Sequence, residues 1–174
     1  AVMAGHFAGI LGAMGLDLED PNLVDSPERV AAAWFELCHG LVETEVRAKK
    51  LMSKVFPTKY DGMVTTDGIE TVGICPHHFL PIQYSIVVGY VPGKMHLAIG
   101  LSKLARLAKL LSARPVMQEQ LSDDIAEYVM KYLKPAGCGV IVVGEHGCMT
   151  CRGVNMRRAR TTTTSLCGCF RKNS

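Results

Sequence analysis

The 174-residue sequence predicts an α+β protein in which an antiparallel four-stranded sheet carries two packed helices and follows a set of N-terminal helices. Three observations carry this expectation. Apolar residues recur at helical spacing in the first part of the chain. Strand-like runs at 69–74, 82–91 and 95–99 come before two helical stretches, and β-rich runs at 138–146 and 161–170 come after them. Strands and helices therefore fall in blocks rather than in strict alternation, which favours an antiparallel sheet with helices on one side.

Met3, Phe7, Ile10, Leu11 and Met14 recur at helical spacing and predict an amphipathic helix ending near Gly15. Residues 1–16 are apolar enough to resemble a signal sequence, but they lack a basic leader and are interrupted by Gly5-His6. The chain begins without an initiator Met, so residues upstream are expected. An acidic loop at 17–21 follows. Ser26-Pro27-Glu28 then reads as a helix start, with Ser26 as side-chain cap, Pro27 at the first helical position and an acid in the first turn. Val30, Trp34, Leu37 and Cys38 share one face of this helix, which stops near Gly40. These helices are expected to serve packing or contacts between copies.

A polar loop over 56–68 leads to the first strand. The runs 82–91 and 95–99 are joined at Pro92-Gly93-Lys94, which predicts a hairpin. Helices are expected over 102–113 and 116–133, separated by Arg114-Pro115. Lys134-Pro135-Ala136-Gly137 marks the return to strand, and Thr161-Thr162-Thr163-Thr164 is β-branched throughout. There are no repeats or low-complexity linkers. The expected organisation is one domain over 1–174, with a helical region at 1–55 and a core at 68–174.

Hydrophobic residues make up 48% of the chain and charged ones 20%, the balance of a globular domain rather than a disordered one. No apolar run is long enough to cross a membrane. Seven cysteines, an odd number, point to reduced thiols in a cytoplasm, some of them binding metal. The net charge is +3, but no acid follows Glu145, whereas Arg152, Arg157, Arg158, Arg160, Arg171 and Lys172 do. That segment reads either as the seat of an anionic partner or as a solvated basic tail.

The chemistry concentrates in Gly73-Ile74-Cys75-Pro76-His77-His78-Phe79-Leu80-Pro81. Cys75-x-x-His78 has metal-ligand spacing, because two intervening residues let a tight turn aim both donors at one ion. A second stretch, Glu145-His146-Gly147-Cys148-Met149-Thr150-Cys151-Arg152-Gly153, supplies further donors. If it is extended, His146, Cys148 and Arg152 share a face and Cys151 points away. Cys75, His78 and Cys148 would then bind zinc with a position left open for water, the catalytic arrangement. Spacing alone also allows a closed structural site completed by Cys151. Gly100-Leu101-Ser102-Lys103-Leu104-Ala105-Arg106 opens a helix with Lys103 and Arg106 on one face. Free amides and two cations suit a phosphate, although an ordinary capped surface helix has the same pattern. Nothing local marks Glu119, in Gln118-Glu119-Gln120, as functional.

Taken together and in order, these blocks resemble the GTP cyclohydrolase I family almost end to end. The resemblance rests on Ser-Pro-Glu-Arg-Val from Ser26, Cys75 to His78, Gly100 to Arg106, Gln118-Glu119, His146-x-Cys148 with Arg152-Gly153, and Thr161 to Leu166. It implies zinc ligation by Cys75, His78 and Cys148, and catalytic imidazoles at His77 and His146. It places Ser102, Lys103, Arg106 and Arg152 on a triphosphate, Gln118 in the substrate site and Glu119 on the guanine edge. It also implies the tunnelling fold, assembled as a homodecameric barrel with active sites between subunits. The implied reaction turns GTP and water into 7,8-dihydroneopterin triphosphate and formate in the cytoplasm, with no membrane or nucleic-acid partner. One position departs from the family pattern: Pro76 stands where the family usually has Glu. Proline keeps the ligand spacing, removes a carboxylate and one amide donor, and restricts Cys75 to extended conformations. That departure leaves a related purine or pterin as an alternative substrate, and a non-catalytic zinc- and nucleotide-binding relative as a further one.

Overall fold

The computed structural model describes residues 1–171; Lys172, one of the basic C-terminal set, lies outside the described residues. The chain opens with helices α1 (Val2–Ala13), α2 (Ser26–Leu37) and α3 (Thr44–Met52). Strands β1 (Val55–Pro57), β2 (Val64–Ile74), β3 (Pro81–Val91) and β4 (Leu97–Ile99) come next. Helices α4 (Leu101–Ser112) and α5 (Gln118–Leu133) precede β5 (Gly137–His146), a short helical turn α6 (Gly147–Thr150) and β6 (Thr161–Gly168).

The α+β architecture is as expected. The long strands pair antiparallel in the order β2-β3-β5-β6. Alternation puts Ile82, Tyr84, Ile86 and Val88 of β3 and Cys138, Val140 and Val142 of β5 on one buried face. Against it lie Leu104, Leu107 and Leu111 of α4 and Leu121, Ile125 and Val129 of α5, spaced three and four apart as a core-facing helix requires. Burying each such side chain contributes about 1.5–3 kcal/mol, so this layer dominates the stability of the fold. Cross-strand partners Gln83 and Glu145 face the other, open side.

Several expectations fail for identifiable reasons. Residues 95–99 do not form a hairpin with β3. Both edges of β3 are already taken, by β2 and β5, and β4 pairs instead with β1 through Val55–Ile99. The stretch expected as loop at 56–68 therefore holds most of β1 and the first residues of β2. Helix α3 went unread because its only buried residues are Ala48 and Met52 in an otherwise polar segment. Asp25, not Ser26, caps α2; its carboxylate takes a 2.9 Å bond from Arg29 rather than from the helix amides. The last strand ends at Gly168, whose φ of 62° turns the chain out of the sheet. Residues 147–150, expected to be extended, coil into α6.

Candidate metal centre and active site

One end of the sheet gathers the end of β2, the start of β3 and the end of β5: Ile74 pairs with Pro81, and Ile82 with His146. Cys75 leaves β2 there and is buried at 4% exposure. Its amide donates to the Leu80 carbonyl at 2.9 Å, and the Phe79 amide returns to the Cys75 carbonyl at 2.9 Å, closing a tight turn. Phe79 completes the turn with a positive φ of 53°. That turn brings His78 Nδ1 to 3.7 Å from Cys75 Sγ.

The third donor comes from the far side. Past His146 the chain coils through α6, and Cys148 joins Cys75 and His78 with all three ligand atoms within 4.8 Å of one another. The reason expected for excluding Cys151 does not hold, because the segment is not extended. Cys151 stays out because its thiol donates to the Gly147 carbonyl at 2.8 Å on the exposed side of α6. Burial, and then the adjacent Cys75, push the Cys148 thiol above its ordinary pKa, while Arg152 pulls the other way. A bound cation would oppose that shift and favour the Cys148 thiolate. A tetrahedral zinc with ordinary Zn–S and Zn–N bonds sets its S and N ligands roughly 3.6 Å apart, close to the observed Cys75–His78 separation. The donor set is the thiolate and imidazole kind that suits zinc.

His146, half-buried on the helix side of β5, places Nε2 2.7 Å from the Gln118 carboxamide oxygen and its ring edge-on to Tyr84 at 6.4 Å. Burial lowers its pKa, with the Glu119 carboxylate partly opposing. Glu119 is exposed beside Gln118 at the start of α5. Exposed His77 sits edge-on to His78, ring centroids 6.2 Å apart. Arg152 is exposed just beyond α6. Sequence reading missed Tyr84, 3% exposed beneath His146 with an unpartnered hydroxyl; its only signal was an inward-facing position in β3. The hydroxyl is held protonated by burial and by the nearby Cys75 and Glu119.

Of the expected phosphate residues, the structure brings Arg152 to this end but not the three on α4. Ser102, Lys103 and Arg106 occupy the first turns of α4, whereas Ile74 bridges to Pro115 just past the other end of that helix. Twelve residues of helix separate the ends by roughly 18 Å. A cleft of about 520 Å³ on the open sheet face is lined by Glu70, Gln83, Ser85, Glu145 and Arg160 among others, and by none of the three metal-type donors. One copy of the chain thus holds the donors and the phosphate helix at separate places. Arg160, from the basic run, is paired with Glu145 at 2.8 Å.

Comparison with known proteins fits this layout. The family profile of GTP cyclohydrolase I matches residues 3–174. The chain is 39% identical over 164 residues to the GTP cyclohydrolase 1 of Thermobifida fusca, covering 94% of this chain and 78% of that protein. It is 34% identical over 171 residues to the Homo sapiens GTP cyclohydrolase 1, covering 98% and 67%. Among solved structures, the apo form of an archaeosine synthase QueF-Like superposes with a TM-score of 0.50 at 15% identity, over 63% of this chain and 97% of that one. That likeness concerns the fold alone. The chain belongs to the GTP cyclohydrolase I family and is a hydrolase.

Proposed function

We propose that the chain converts GTP and water to 7,8-dihydroneopterin triphosphate and formate at a zinc centre held by Cys75, His78 and Cys148. The observation that carries this reading is the convergence of those three donors beside His146, in a chain of this family. When bound, zinc lowers the pKa of water toward neutrality and so supplies a nucleophile for opening the guanine imidazole ring. His146 and His77 move protons in that opening and in the later ribose rearrangement, as positioned imidazoles acting as general acids and bases. Glu119 accepts hydrogen bonds from the guanine edge.

Ser102, Lys103, Arg106 and Arg152 hold the triphosphate. Because the first turns of α4 lie a helix length from the donors, a complete site takes Ser102, Lys103 and Arg106 from a second copy, whereas Arg152 stands beside Cys148 in the same chain. This supports a homo-oligomer, for which we propose the decameric barrel of the tunnelling fold. No helix among the described residues is long and apolar enough to span a membrane, and we place the enzyme in the cytoplasm, feeding pterin or deazapurine synthesis. We propose Zn²⁺ as the cofactor and no nucleic-acid partner.

Pro76 at the turn favours a second reading, in which a related purine is the substrate. Mass spectrometry of the products from GTP, with formate measured alongside, decides between them. Formate and pterin in equal amounts support the first reading, and unaltered GTP beside full zinc content sinks it.

A further inference from the structure

Gln118 was expected to touch the substrate, yet it is 2% exposed and its polar atoms are already committed. Its amide nitrogen donates to the carbonyls of Val142 and Thr161, each at 2.9 Å, and lies 3.4 Å from Thr163 Oγ1. Carbonyls only accept, so two of them on one side fix which end of the carboxamide is nitrogen. The oxygen is then the atom 2.7 Å from His146 Nε2. That oxygen also only accepts, so Nε2 must carry the hydrogen. A neutral imidazole has one N–H, which leaves the lone pair on Nδ1.

The backbone makes room for this pair at Gly144. A Cβ there would stand 2.3 Å from Gln118 Oε1 and 3.1 Å from His146 Nε2. The residue two before the imidazole is thus glycine where any side chain would push the amide away.

We propose that Gln118 is a positioning residue: it fixes His146 as the Nε2–H tautomer, aims the ring and leaves Nδ1 as its proton-transferring nitrogen, without touching GTP. The proposal rests on the reading of His146 as a proton-transfer group and assigns which of its nitrogens acts. An aromatic ring alone in a half-buried niche can flip; a ring bonded to an amide that is itself tied to two strands cannot without breaking that bond.

The test combines a spectrum and kinetics on zinc-loaded protein. Solid-state ¹⁵N spectra of histidine-labelled protein, with the His146 signals found by difference from His146→Ala, report the tautomer directly. The wild type should show Nε2 protonated and Nδ1 bare, and Gly144→Ala should show a mixture. Gly144→Ala and Gln118→Leu should each lower kcat roughly ten- to a hundredfold, as expected for a misplaced catalytic group, with KM for GTP within about twofold. An Nδ1–H tautomer in the wild type overturns the proposal. So does a raised KM with unchanged kcat, the mark of a lost substrate contact. A wild type without turnover would instead defeat the functional reading, and the spectrum would still decide the tautomer.

Discussion

Phe79, the residue after His78, sets its ring 5.5 Å from Trp34 on α2, and Trp34 in turn lies 6.5 Å from Phe7 on α1. A chain of aromatic contacts therefore runs from the N-terminal helices to the turn that carries two of the metal-type donors. Such pairs add about 0.5–1.5 kcal/mol beyond their buried area, enough to bias the turn without fixing it.

Trp34 is the only tryptophan in the sequence, so its fluorescence reports on that turn. Stripping zinc with a chelator should shift Trp34 emission, and restoring zinc should reverse the shift. Emission that ignores the metal would mean the turn is held by its two backbone bonds alone.

Zinc binding should weaken steeply as pH falls, because protons compete for thiols whose ionisation the ion must drive. The sign follows from Cys148, raised by burial and by Cys75: more of its proton must be displaced at any neutral pH. Competition titrations at several pH values measure this. His78→Ala should leave well under about one zinc per chain after dialysis against a chelator, with melting little changed from that of the zinc-free wild type, since His78 is exposed.

Helix α3 is fastened to α5 by one carboxylate. Glu45 accepts from Tyr128 at 2.6 Å, Lys131 at 2.6 Å and Tyr132 at 2.8 Å. The Lys131 bond first, then the two tyrosines, pull the Glu45 pKa down to about 2. A depressed carboxylate contributes stability above its ordinary value of about 4.3, and that contribution fades as pH falls toward about 2. Glu45→Gln should therefore lower the melting temperature slightly at neutral pH and flatten its fall across that acid window. Because the pair is exposed, salt should shrink the difference.

Gly40 marks where α2 meets the end of α4. Its amide donates to the Ala113 carbonyl at 2.8 Å, and a Cβ would stand 2.2 Å from the Leu110 carbonyl oxygen. Those are backbone atoms, so nothing can swing aside. Gly40→Ala should cost about 1–3 kcal/mol, read as a lower denaturation midpoint.

Much of this was legible in sequence, and what was not has physical causes. Periodicity marked α4 and α5 because each is a long amphipathic helix, and the threonines announced β6. Three-residue strands such as β1 and β4 carry no alternation to read, so their pairing with each other was invisible. The metal donors were legible as Cys75-x-x-His78, whose spacing is local. The alternation argument for Cys148 failed because a four-residue helical turn after His146 leaves no periodic trace. Gln118 and His146 meet across 28 positions, through side chains whose partnership no local pattern encodes.

The most direct test of the central claim is to strip the protein of metal, titrate zinc back, and follow formate and pterin formation from GTP. Both products should appear together, rise with zinc, and level off near one ion per chain. Full zinc occupancy with GTP unchanged, or turnover that is indifferent to the metal, would contradict it.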